Sequence, residues 1–415
     1  MQKPRWLTLV AILGVFALVG AACNGDGGGG GGGTPDGDER IEVTVYGQGA
    51  WTGGANGLVL PSMQSAQIRF DELNAEEGYP ATITFEQADT QGSGDAAPPV
   101  AQGAAEDPNT VAIMGPAFSG ESRATGDTYN DAGIPFVTAS ATGEDLADFD
   151  WDFWYRTVGH DGLQSSLAAR WVAEVIQPES LFILHDTTDY GQPLAESVEA
   201  AATDAGITIA GKTGIPEPAI NTGVTVDFSS IISDIADSGA DAVFFGGYDV
   251  DSGPFLDQAA TAELDVQLIS GDGSVSSSLL ELAGPAAEGA LLLAPSNISA
   301  GFVEKYQAEV GGEGFSVAIY SAEGYDAAGL IGEGIKVAID GGAETPEDIR
   351  TGIKEYLDGL TEDAPFEGEA KSIFFDADTH ELGHEAEELY YFYEVVQGDE
   401  ALELQNLGNA VEVLG

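Results

Sequence analysis

The chain has 415 residues, 43 % of them hydrophobic, and its 13 basic against 70 acidic side chains give a net charge of −57. So negative a body repels phosphate backbones and anionic lipid headgroups, which excludes nucleic-acid binding. The length exceeds the roughly 250–300 residues at which one core usually stops growing, so two lobes are expected.

The chain opens MQKPRWLTLVAILGVFALVGAAC, with Lys3 and Arg5 before an apolar run from Leu7 to Val19 and small residues after it. Residues 1–22 therefore read as a secretory signal. Cys23, the sole cysteine, follows Gly20-Ala21-Ala22, where a lipoprotein signal is cut, although Gly20 stands where such signals usually carry leucine. Acylation of Cys23 is expected, and no internal disulfide is possible. Residues 23–40, beginning CNGDGGGGGGG, bury nothing and read as a flexible tether to a membrane surface. The acids are spread along the chain and not gathered in one tail, as on a surface adapted to salt. At about 1 M salt the screening length is about 3 Å, which makes such self-repulsion tolerable, so a halophilic source is expected.

From Ile41 one unit repeats: a short apolar run, a loop rich in Gly, Ser, Thr or Asp, then an amphipathic stretch. IEVTVYG, TITFEQ, NTVAIMG, GIPFVTA, SLFILHD, DAVFFGG and VQLISG are predicted strands. PSMQSAQIRFDELNAEEG, PLAESVEAAATDAG and FSSIISDIADSGA are predicted helices, each closed by a glycine. The alternation predicts an α/β fold with parallel sheets and helices on both faces, whose ligands gather at the carboxyl ends of the strands.

Two motifs match by letter and fail on context. GITIAGKT, residues 206–213, fits the phosphate-loop pattern, but Gly206 ends a predicted helix and ITIAGKTGI alternates like a strand, the reverse of the required order. His380, Glu381 and His384 fit the H-E-x-x-H pattern of zinc proteases, yet they lie between KSIFFDADT and LYYFYEVVQ, two β-prone runs, where a loop cannot give the helical spacing that the zinc needs. Asp376-Ala377-Asp378 resembles a calcium loop, but Glu381 occupies the position where such a loop requires glycine. A hydrolase built on Ser119, His185 and Asp186 lacks the G-x-S-x-G elbow. No catalytic residue, metal or cofactor is therefore expected.

The strand-end loops carry GPAFSG, DTYNDAGIPFVT, YRTVGHD, ILHDTTDYGQPLA, VFFGGYD and AEGALLLAP in that order. Over roughly residues 41–400 this resembles the branched-chain (leucine/isoleucine/valine) amino-acid-binding proteins of ABC importers, which have the type I periplasmic binding fold. The resemblance implies two Rossmann-like lobes joined by a three-crossing hinge, a Venus-flytrap, with residues 41–158 plus 292–375 in lobe 1 and 159–291 plus 376–415 in lobe 2. Ser119 is similar to the family's carboxylate-binding serine, and as the residue opening a predicted helix it would stand at an anion-favouring terminus. Ser140 falls where the family offers a backbone carbonyl to the ligand ammonium, Thr142 where a threonine grips the carboxylate, and Asp272 where a glutamate binds the ammonium. Tyr190 and Tyr248 match tyrosines that close over the ligand. Leu58 stands where relatives often have an aromatic residue touching the ligand side chain, with Trp51 earlier, so side-chain preference is open. Phe118 replaces a cysteine that some relatives pair, a change expected to affect lobe stability and not the pocket.

The function so implied is an extracytoplasmic substrate-binding lipoprotein that takes an aliphatic amino acid to a membrane permease driven by separate ATPase subunits. A receptor for a short amide or urea on the same fold is the alternative, and a zinc hydrolase using His380, Glu381 and His384 is the rival from outside binding proteins.

Overall fold

The computed structural model of the protein describes residues 40–297, 300–311, 317–383, 386–398 and 401–415. The expected signal, Cys23 and the tether up to residue 39 lie outside them, as does His384. The apolar runs become strands of two separate sheets. The first is built from β1 (Ile41–Gly49), β2 (Ala81–Asp89), β3 (Thr110–Met114), β4 (Phe136–Thr138) and β5 (Trp154–Arg156) in the order β2-β1-β3-β4-β5, all parallel. The second contains β6 (Leu181–His185), β7 (Ile209–Gly214), β8 (Ala242–Gly246), β9 (Gln267–Ser270) and β10 (Leu291–Ala294). A two-stranded ladder of β11 (Phe366–Glu367) and β12 (Ser372–Ile373) follows, and then β13 (Tyr391–Gln397) and β14 (Leu402–Asn409) add antiparallel strands to the second sheet. Its order is β14-β13-β10-β9-β8-β6-β7.

Burial explains the composition of the strands. Every residue of β3, β6 and β8 is buried, because helices cover both faces of a parallel sheet and water reaches neither side. The edge strands β7 and β14 have no fully buried residue, which is why IAGKTG and LELQNLGN carry so many polar side chains. Glycine closes the helix Ser229–Ser238 at Gly239, φ +70, where a Cβ would be strained.

The chain passes between the lobes after β5, after β10, and again before β13. The helix Ser321–Asp340 packs on the helix Asn56–Ala75, and Pro346–Asp358 packs against it and β3, so the stretch after the second crossing completes the first lobe. All four residues of β10 belong to the second sheet, so the expected boundary between residues 291 and 292 falls inside a strand. Residues beyond 376 also stay with the first lobe for a short way: the Arg156 N–H donates to the His380 carbonyl at 3.2 Å, and Phe375 bridges Leu382. No helix among the described residues is long and apolar enough to cross a membrane.

Candidate ligand-binding cleft

The first-lobe wall begins where β3 runs through GPAF into the helix Ser119–Asp131. Phe118 takes the cap position in extended conformation, and Ser119 is the first helical residue, so the serine is not the cap that its sequence position suggests. The first-turn amides have no acceptor within the helix, and the dipole makes this end positive. The buried Ser119 Oγ accepts the Gly143 N–H at 3.0 Å, which leaves the hydroxyl proton free to be donated. Ser140 Oγ donates to the Ala117 carbonyl at 2.8 Å. Thr142 is buried, and its hydroxyl has no hydrogen bond of good geometry among the described residues, although it lies close enough to the Asp161 carboxyl to favour that group's charge. The loop from Ser140 to Gly143 is held from behind by Arg156. Its fully buried guanidinium donates to the Gly143 carbonyl at 2.7 Å and the Ala141 carbonyl at 3.3 Å, and it pairs with Glu381.

The second-lobe wall is acidic. Asp161 starts the helix Asp161–Trp171 and donates its N–H to the Thr142 carbonyl at 2.8 Å. Gln164, one turn on, donates Nε2 to Asp161 Oδ1 at 3.0 Å and to Asp272 Oδ1 at 2.6 Å, and its Oε1 accepts the Asp272 N–H at 2.9 Å. Asp272 also accepts the Tyr190 hydroxyl at 2.9 Å and the Tyr320 hydroxyl at 2.6 Å. Both aspartates are buried. Burial, and next the charge of Asp272, push Asp161 up to about 8; burial likewise raises Asp272 above the usual carboxylate range despite its three donors. Tyr190 and Tyr248 pack with ring centroids 4.9 Å apart, and Tyr248 meets Phe118 of the first lobe edge-on at 5.4 Å. The cleft is thus closed by aromatic contact between the lobes.

A cavity of about 340 Å³ opens beside this cluster, walled by Phe118, Gly120, Arg123, Tyr190, Ile220 and Tyr248 among others. A second, of about 740 Å³, reaches Asp161, His160, Glu144 and Glu381. Arg123 and Asp189 border both. There Arg123 Nη1 donates to the Asp189 carbonyl at 2.7 Å while Nε holds Asp145 at 2.9 Å, a charged bar from the first lobe to the second.

Of the six residues predicted to bind ligand, Tyr190 and Tyr248 line the smaller cavity, whereas Ser119, Ser140, Thr142 and Asp272 are buried in the surrounding cluster. Phe118 corrects an expectation, because its ring is part of the pocket wall and faces Tyr248. Leu58 is buried in its helix, and Trp51 donates Nε1 to the Gly47 carbonyl at 2.6 Å and borders a different groove, so neither is among the cavity's lining. Sequence reading missed Asp161, Gln164, Arg123 and Tyr320. Asp161 and Gln164 stand three apart at a helix start, a spacing that puts them on one face, and this was the one available signal.

The described residues of the rejected motifs are engaged elsewhere. His380 has φ +55 in a tight turn, its N–H donating to the Asp376 carbonyl at 2.9 Å, and Glu381 serves Arg156. Residues 206–213 run from Gly206, after the helix Gly191–Asp204, into β7, and Lys212 pairs with Glu199 at 2.8 Å. Ser119, His185 and Asp186 engage separate partners: Gly143, Thr187 and the Thr188–Tyr248 amides. Among the described residues no cluster of His, Cys, Asp and Glu could hold a metal.

Two hinged α/β lobes that close aromatic rings over a buried polar cluster define a type I binding-protein fold. The chain belongs to the periplasmic binding protein family, which it matches over residues 50–400. It is 32 % identical over 183 residues to the leucine-, isoleucine-, valine-, threonine- and alanine-binding protein of Pseudomonas aeruginosa, a match covering 44 % of this chain and 48 % of that protein. The chain thus spans about half the length of the curated relatives it matches. A leucine-binding protein from Thermotoga maritima superposes with a TM-score of 0.73 at 22 % identity, covering 88 % of this chain and 97 % of that one. A branched-chain amino-acid transporter substrate-binding protein from Streptococcus pneumoniae, in complex with isoleucine, gives 0.71 at 21 % identity, with coverage of 89 % and 100 %. Identities this low speak for the shared fold.

Proposed function

We propose that this protein is the substrate-binding component of an ABC importer and carries a zwitterionic, aliphatic amino acid. The observation that supports it most is that the Ser119 hydroxyl, at a helix N-terminus, and the Thr142 hydroxyl stand on the first-lobe wall beside the buried Asp161–Gln164–Asp272 cluster of the second. Donors suit a carboxylate and acids suit an ammonium, and in a water-poor cleft a ligand lacking either end leaves a protein group unpaired. The protein would work outside the cytoplasm, held to the membrane through acylated Cys23, and its closed form would dock on a permease with ATPase subunits. It would perform no chemistry on its ligand.

A thermal-shift screen of the purified protein in high salt tests this reading. An amino acid at about 100 times its dissociation constant should add about 2.7 kcal/mol of stability. No shift with any amino acid would contradict it. A short amide or urea is the second reading, supported by the neutral donors that already surround Asp272, and a shift with acetamide or urea alone would select it. The same melts repeated without salt test the halophilic character: a chain of net charge −57 should lose stability as screening falls.

A further inference from the structure

The stretch Ser140–Gly143 carries no regular structure, so no ladder fixes its backbone and its buried carbonyls must find donors elsewhere. The Ala141 and Gly143 carbonyls both accept from Arg156 Nη1, and the Thr142 carbonyl between them accepts the Asp161 N–H at 2.8 Å. The Gly143 N–H donates to Ser119 Oγ at 3.0 Å. With successive carbonyls tied to two different partners, the loop is held in one conformation, and that conformation sets where the Thr142 hydroxyl is presented.

Arg156 ends β5, immediately before the first crossing between the lobes, and is fully buried. Its ionic partner Glu381 comes from far along the chain, in the turn 376–381 that precedes the third crossing. The same turn is docked on Arg156 a second time, because the Arg156 N–H donates to the His380 carbonyl at 3.2 Å. Past the crossings the two segments are joined again by the Tyr390 hydroxyl, which donates to the His160 carbonyl at 2.7 Å. The first and third crossings are thus braced to each other on both sides. A buried ion pair contributes little net stability, since both ions lose their hydration, so the contribution of this one is to geometry.

We propose that Arg156 is a positioning residue for ligand capture and Glu381 the brace that aims it: the pair ties the loop that presents Thr142 to the third crossing of the hinge. The inference rests on the amino-acid reading above, and it gives Glu381, the acid of the H-E-x-x-H match, a role outside zinc chemistry. Positioning and bare charge predict opposite signs. Glu381 borders the cavity of about 740 Å³ together with Asp161. Acting by charge alone, its removal would favour a ligand carboxylate and disfavour an ammonium. Acting as a brace, its removal frees the guanidinium from its alignment on the loop carbonyls, and the carboxylate end is the one that suffers.

Titration calorimetry with leucine and with the corresponding amine lacking the carboxylate, on the parent, Glu381→Gln and Arg156→Lys, reads the difference. Both variants should weaken leucine about tenfold, the scale of a hydrogen bond to a charged group, and leave the amine within about threefold. Lysine keeps the charge but lacks the planar fork that serves the loop carbonyls and a carboxylate at once. Leucine that binds Glu381→Gln as tightly as the parent, or more tightly, would overturn the proposal. Equal weakening of leucine and the amine, the mark of a merely structural pair, would overturn it too. Absence of amino-acid binding in the parent would overturn the amino-acid reading and this inference with it. Melting of the empty variants checks folding. Glu381→Asp, which keeps the countercharge and withdraws the carboxylate by one methylene, stands in for a variant that does not fold, with the same direction expected.

Discussion

On the proposed reading, the two walls of the cleft solve opposite electrostatic problems. The first-lobe wall is made of neutral donors, the Ser119 and Thr142 hydroxyls and the first-turn amides of a helix, with Arg156 committed behind them to carbonyls and Glu381. The second-lobe wall is made of buried acids and tyrosines, Asp161, Asp272, Tyr190 and Tyr248. In a chain of net charge −57 the acids come readily, and attracting a cation needs no special device. Capturing an anion against that field does, and a helix terminus supplies it with fixed dipoles instead of mobile charge. The contrast predicts that the acidic wall provides most of the affinity and the donor wall the discrimination.

The largest expected effect is therefore on the acidic wall. Asp161→Asn and Asp272→Asn should each weaken amino-acid binding about 100- to 1000-fold in calorimetry, as removing one side of a buried charge pair costs about 3–4 kcal/mol. Losses below tenfold in both would break the comparison. On the donor wall, Ser119→Ala and Thr142→Val should cost about tenfold each, the scale of a hydrogen bond to a charged group. Combined, they should affect the carboxylate end alone, so the corresponding amine, with no carboxylate, should bind variant and parent alike.

Arg123 touches neither end of such a ligand in this reading but spans the lobes through the Asp189 carbonyl. Arg123→Ala should raise the dissociation rate about fivefold in stopped flow and leave the association rate nearly unchanged, because the contact exists only once the cleft is shut.

The smallest effect is on pH dependence without ligand. Asp161 lies at about 8 against an ordinary 3.8, so between these values the folded chain holds a proton that the unfolded chain has released. The empty protein should then gain stability as pH falls from about 8 toward 5, and Glu121, buried and also at about 8, acts in the same direction. Melting temperatures at constant salt would record the slope, and Asp161→Asn should flatten it. A fall in melting temperature over the same range would contradict the assignment.

Much of this architecture was legible in the chain. The strands β3, β6 and β8 announce themselves as apolar runs because both faces of a parallel sheet are buried, and Gly206 and Gly239 mark helix ends by their left-handed backbone, φ +86 and +70. The edge strand β14 carries no such signal, since LELQNLGN is half solvated. The site divides similarly. Ser119, Ser140, Thr142, Tyr190, Tyr248 and Asp272 are proposed from the family resemblance of short motifs. Arg123 with Asp189, or Gln164 with Asp272, could not be read in this way: the partners lie 66 and 108 residues apart, the first pair meeting across the lobes and the second through the folding of the second lobe. Phe118 was read for what it replaces, yet its ring acts across the cleft on Tyr248.

The most direct measurement is calorimetry on the unmodified protein with leucine, the corresponding carboxylic acid lacking the amine, and the corresponding amine lacking the carboxylate. Opposed walls predict that each analogue binds at least about 100-fold more weakly than leucine, the amine less severely than the acid. An analogue that binds as tightly as leucine would mean that one wall makes no contact with the ligand, and the two-ended cleft would be wrong.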